Sequence, residues 1–125
     1  GYYESLIRPR WAPPAWLFGP VWTVLYGMMA VAAYLVWNEP DDRRRGALTV
    51  FWIQLLLNGL WSWIFFAWMK TMWAGVEIIV LWITILITGL LFARIRPLAG
   101  WLMLPYLLWV TYAGALNWAI YLKNR

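Results

Sequence analysis

Neither cysteine nor histidine occurs among the 125 residues, and those two absences remove several chemistries at once. A Ser-His-Asp or Cys-His catalytic unit cannot be assembled. A zinc site of the usual nitrogen and sulfur ligands is excluded, and haem cannot be held by the common His or Cys axial ligands. No metal site is therefore expected. Without a thiol, the redox compartment leaves no mark on the sequence. Charge is scarce as well: Asp, Glu, Lys and Arg make up 12% of the chain, with five acids against ten bases. An apolar stretch preceded by basic residues is missing from the start. The first fifteen residues carry Pro9, Pro13 and Pro14 and no apolar core, so no cleavable signal peptide is read there.

What is present is apolar. Hydrophobic residues make up 65% of the chain and mean hydropathy is +0.65, more apolar surface than a soluble domain of this size can hide. The charges cluster at Glu4–Arg10, Glu39–Arg45, Lys70, Arg94–Arg96 and Lys123–Arg125. Between them lie apolar runs of about 20 residues, the length a helix needs to cross roughly 30 Å of hydrocarbon. The expected class is an all-α integral membrane protein, a four-helix transmembrane bundle in one domain over 1–125. Its spans are expected at about 16–37, 47–68, 73–93 and 98–122. Residues 1–15 read as an ordered loop or lid, because proline pairs resist helix. Pro105 should kink the last span. The formal charge of +5 does not point to nucleic acid, since no basic patch is interleaved with stacking aromatics. Juxtamembrane arginines touching lipid headgroups explain it better. Basic residues divide equally between the two membrane faces, so orientation is not readable.

Thirteen tryptophans exceed any ordinary frequency. Trp16, Trp37, Trp52, Trp68, Trp73, Trp101 and Trp118 fall near span ends and fit the interfacial aromatic belt. Trp22, Trp61, Trp63, Trp82 and Trp109 lie deeper, where an indole N–H needs an acceptor, so some should face the bundle interior. Polar residues inside spans are costly in lipid and tend to be functional. Gln54 and Asn58 are one helical turn apart, with Trp61 following on the same stripe. Trp109, Ala113 and Asn117 form a second stripe, and Trp22 with Tyr26 a third. Glu77 is the one acid within a span. Turned inward, these stripes would line a single aromatic, mildly polar cavity suited to a planar ligand. Their plainer role is packing: Asn58 and Asn117 as hydrogen-bonding glue between helices, Glu77 as an anion near a helix N-terminus.

The segment Trp11-Ala-Pro-Pro-Ala-Trp16-Leu-Phe-Gly-Pro20-Val-Trp22-Thr-Val-Leu-Tyr26 resembles the signature of the tryptophan-rich sensory protein (TspO/MBR) family, which includes the peripheral-type benzodiazepine receptors. Three further segments agree in order: Gln54 to Phe66, Trp73-Ala-Gly-Val-Glu77, and Pro105 to Asn117. The resemblance implies a membrane receptor or transporter that encloses porphyrins, sterols or benzodiazepine-type ligands between its helices, commonly as a homodimer. It places the ligand at Tyr26, Trp61, Trp73, Glu77, Trp109, Ala113, Leu116 and Asn117, to which the polar stripe adds Gln54 and Asn58. The family fold has five spans, and this chain begins in what would be the loop after the first. The family's sterol-recognition segment is altered, with Trp118 and Leu122 at its usual Tyr and Arg places. Leu116, Tyr121 and Lys123 still satisfy its loose pattern. No Gly-xxx-Gly pair marks a dimer face.

Three readings of function follow. The first is binding of a metal-free porphyrin, sterol or other lipid, with no cofactor required. The second is light-dependent porphyrin degradation, with Trp109 or Trp61 as the oxidised partner. The third is a structural role beside partner subunits of a larger membrane complex.

Overall fold

The computed structural model describes residues 2–124. After a short helix α1 (Tyr2–Ser5) and an extended stretch, a single 3-10 turn (Ala15–Leu17) opens α2 (Phe18–Trp37). Helix α3 (Arg44–Ser62) runs into a π-helical turn (Trp63–Ala67), followed by α4 (Thr71–Ile95) and α5 (Pro97–Asn124). Among the described residues, four helices are long and apolar enough to cross a membrane, at Ala15–Trp37, Arg44–Ala67, Thr71–Ile95 and Pro97–Asn124. The chain is an integral, multi-pass membrane protein with an all-α fold.

Helix ends follow local chemistry. Pro20 sits in the first turn of α2 and Pro97 is the first residue of α5, positions where a missing N–H costs nothing. Pro105 lies inside α5, which continues as one helix on both sides of it. Met69 takes a left-handed backbone (φ 57°), which reverses the chain so sharply that α4 begins at Thr71. Across the membrane, Arg43 closes the α2–α3 loop on Asp41 through a 2.8 Å ion pair. That guanidinium holds the Asp41 carboxyl down to about 2. Arg96 reaches Glu39 at 3.1 Å, tying the same loop to the α4–α5 turn.

Helix α4 packs against both α3 and α5, while α2 packs chiefly on α5. The shared core includes Met29, Val36, Leu81, Ile85, Phe92, Met103 and Tyr106, all nearly solvent-free. Phe51 stacks on Phe92 with ring centroids 5.7 Å apart. The outward faces are equally apolar, with Val24, Val31, Leu56, Ile79 and Leu108 exposed, as a hydrocarbon solvent requires.

Small residues permit the closest helix approach. A Cβ on Gly100 would lie 2.5 Å from the Ala93 Cβ and 2.9 Å from its Cα, so α4 and α5 touch there almost backbone to backbone. Gly100→Ala should therefore separate the two helices, with a loss of about 1–3 kcal/mol as expected for overpacking. Gly89→Ala, whose Cβ would meet Met103 at an ordinary 3.7 Å, should not. Thermal unfolding midpoints of the two variants in detergent check this: a clear drop for the first and none for the second.

Candidate functional site

Two hydrogen-bond systems cross the bundle. In the first, the Tyr26 hydroxyl donates to Asn58 Oδ1 at 2.6 Å, and Asn58 Nδ2 donates to the Tyr106 hydroxyl at 2.8 Å. Tyr106 in turn donates to Gln54 Oε1 at 2.7 Å, and Gln54 Nε2 points at the Met29 sulfur, 3.9 Å away. Gln54, Asn58 and Tyr106 are 0–2% exposed. The expected stripe of Gln54 and Asn58 thus faces inward, but its polar groups bond to other side chains within the bundle.

In the second system, the Trp61 indole N–H donates to Asn117 Oδ1 at 3.0 Å, and Asn117 Nδ2 donates to the Thr71 carbonyl at 2.7 Å. This joins α3, α5 and the start of α4. Gly75 makes room for it: a Cβ there would come within 3.1 Å of Asn117 Nδ2 and 2.8 Å of the Trp118 ring.

Around Trp61 and Asn117 lies an aromatic pocket that contains sequence-predicted site residues. It is lined by Tyr3, Phe18, Phe65, Phe66, Ala113 and Leu116 beside those two. The π-helical turn brings the adjacent Phe65 and Phe66 into this lining together, their rings 4.7 Å apart, consistent with such turns gathering at functional sites. The residual cavity is only about 10 Å³, because Tyr3 and Phe18 fill it from the N-terminal side, edge to face at 5.1 Å.

Residues 2–14 lie against the pocket, which Tyr3 lines. The Tyr3 hydroxyl donates to the Pro13 carbonyl at 2.6 Å, folding the segment back on itself. Three further contacts hold it to the bundle. Tyr112 donates to the Trp11 carbonyl at 2.5 Å, Tyr2 to the Met69 carbonyl at 3.3 Å, and Asn124 exchanges hydrogen bonds with the Ile7 backbone at 3.1 and 2.9 Å. Arg8 lies 4.5 Å over the Tyr3 ring.

Trp109 borders the same cluster, edge-on to Phe18 at 6.1 Å and to Trp22 at 6.4 Å, and Trp22 stacks on Tyr26 at 5.6 Å. Among the described residues, the Trp109 indole N–H is buried without an acceptor, and both carboxylate oxygens of Glu77 are buried without a donor. Glu77 shares the buried face of α4 with Ala74, Ile78 and Leu81 rather than lining the pocket.

The chain matches the family model described as TspO/MBR family over residues 1–122. It belongs to the TspO/MBR family. Among its relatives, the tryptophan-rich protein TspO of Chlorobaculum tepidum is 42% identical over 98% of this chain and 79% of that protein. The TspO protein of Archaeoglobus fulgidus is 38% identical, covering 98% and 80%. The human translocator protein is 35% identical, covering 99% and 75%. Membership of the TspO/MBR family supports a receptor- or transporter-type role in the membrane.

Within this family member, the structure brings Trp61, Ala113, Leu116 and Asn117 together at the pocket, with Trp109 beside them. It does not bring Trp73, which is 59% exposed on the outside of α4. Tyr26 is 41% exposed and reaches inward only through its hydroxyl. The sterol-pattern residues are split, with Leu116 at the pocket and Lys123 on the surface. Tyr121 meets Trp118 edge-on at 5.8 Å. Among the deep tryptophans, Trp61 is 6% exposed while Trp63 is 57% exposed, because two residues along a helix turn a side chain to the opposite face. Trp82 is half-buried and donates to Thr111 at 2.8 Å. Sequence spacing missed Tyr106, which lies one turn before Trp109, and Phe65, one turn after Trp61. No local signal marked Tyr3.

The inner hydrogen-bond chain yields a prediction. Asn58→Leu removes the acceptor of the Tyr26 hydroxyl and the donor to the Tyr106 hydroxyl, which keeps its bond to Gln54, and should cost about 1–3 kcal/mol of stability. Affinity for a ligand in the Trp61 pocket should change little. Unfolding in mixed micelles beside a ligand titration separates the two effects.

Proposed function

We propose that this protein binds a flat, largely apolar ring, a metal-free porphyrin first among candidates and a sterol second, in the aromatic cluster beneath residues 2–14. The observation that carries the reading is the buried Trp109 indole N–H without an acceptor, set among Phe18, Trp22 and Tyr112. A buried indole N–H ordinarily finds a partner, and a ring with peripheral carboxylates or carbonyls offers one. The family resemblance points to the same ligand class.

Burial of ring surface would drive binding, at roughly 25 cal/mol per Å² before ordering costs. The phenyl and indole faces of Phe18, Phe65, Trp61 and Trp109 supply that contact. Asn117 would keep its hydrogen bonds to Trp61 and Thr71 and hold the indole still, so that stacking loses little entropy. The unliganded pocket is far below the roughly 300–1,000 Å³ of sites for molecules of this kind. The ring would therefore take the space of Tyr3, and residues 2–14 would swing outward to admit it. With no His or Cys in the chain, a metal-free ring suits the pocket better than ligated haem.

Titration of the detergent-purified protein with protoporphyrin IX, followed by the pigment's own absorption, tests this. Wild type should saturate. Trp109→Phe should weaken binding by about tenfold, the loss of one buried hydrogen bond, and Ala113→Leu, which fills the pocket, should abolish saturation. Wild-type binding by both variants would remove this pocket as the site.

A further inference from the structure

Toward the Arg94–Pro97 end of the bundle, away from the Trp61 pocket, α4 and α5 part to leave an open groove of about 310 Å³. Ile85, Leu86, Gly89, Leu90 and Ala93 form one wall, and Pro97 to Leu107 of α5 the other. We propose that this groove is a phospholipid site, holding one acyl chain of an anionic lipid whose phosphate rests on Arg94.

Three observations fit this occupant. The first is length. From Ala93 to Ile85 a helix rises about 12 Å, and from Pro97 to Leu107 about 15 Å, which is one leaflet of a roughly 30 Å hydrocarbon core. A transmembrane helix of a second protein would need contact along a whole span, so a half-length groove suits a chain anchored at one face.

The second is shape. Gly89 leaves a gap over Met103, while the Gly100–Ala93 contact closes the floor at the headgroup end.

The third is charge at the mouth. Leu86, Leu90 and Arg94 fall on one stripe of α4, four residues apart, so Arg94 stands over the groove at its Pro97 end. Neighbouring arginines are engaged: Arg43 with Asp41, Arg96 with Glu39, and Arg44 with the Trp37 and Glu39 carbonyls. Arg94 is exposed, and its guanidinium has no partner among the described residues. Trp101, 68% exposed on the facing rim, is a headgroup-level residue by type.

Native mass spectrometry of the intact chain, titrated in detergent with dioleoyl phosphatidylglycerol or dioleoyl phosphatidylcholine, tests the site. The anionic phosphatidylglycerol should bind one copy with about fivefold higher affinity, the ratio matching about 1 kcal/mol from one juxtamembrane arginine. Arg94→Gln should erase that preference, and Gly89→Leu should weaken both lipids. Arg45→Gln, outside the groove beside Asp41 and Asp42, should leave binding unchanged. Arg94→Gln is a surface change, so its result stands even if Gly89→Leu fails to fold. Equal affinity for the two lipids, a preference that survives Arg94→Gln, or an equal loss in Arg45→Gln would overturn the proposal. So would lipid release on formation of a protein dimer, which would give the groove to a second copy.

Discussion

Hydrocarbon offers no hydrogen bonds, so each polar side chain inside this bundle must find its partner in the protein. That constraint organises the interior. Tyr26, Asn58, Tyr106 and Gln54 satisfy one another across α2, α3 and α5. Trp61 and Asn117 do so across α3, α5 and the start of α4. Each such bond contributes on the order of 1 kcal/mol in a membrane, but a stranded hydroxyl or amide costs more. The two systems therefore fix helix register more firmly than apolar packing between lipid-like surfaces can.

Once those groups are bonded, what remains unpaired is informative. The Trp109 N–H and the Glu77 carboxylate stand apart from both systems. Trp109 sits in the aromatic cluster that Tyr3 and Phe18 plug, so the same segment that completes the packing also occupies the space a ring would take. Residues 2–14 are held by the buried Tyr3 ring and by side-chain bonds to backbone carbonyls and amides, while the inner hydrogen-bond chain lies wholly outside the segment. In this reading, a rigid hydrogen-bonded floor and a releasable aromatic roof are the working parts of the receptor.

Much of the fold was legible because hydropathy and charge clustering depend only on the solvent. The spans, 3-10 and π turns included, depart from the expected bounds by at most three residues, where Pro97 starts a helix and the left-handed Met69 lets α4 begin early. Spacing also identified Gln54 and Asn58 as inward-facing. It could not show that tyrosine hydroxyls would consume their hydrogen-bonding capacity, since that depends on where α2 and α5 lie. The same limit applies to Trp73, matched by motif yet exposed on α4, and to Tyr3. Tyr3 reaches the pocket only because the chain doubles back at Pro9 and Pro13.

The most direct test of a releasable roof is the rate at which protoporphyrin IX associates, measured by stopped-flow in wild type and in Tyr112→Phe. This change removes only the hydroxyl that holds the Trp11 carbonyl and keeps the ring beside Trp109. If residues 2–14 must lift first, association should quicken by about two- to tenfold, as the loss of one such hydrogen bond implies. An unchanged rate would mean that the ring enters by another route, and the account of the cover would fail.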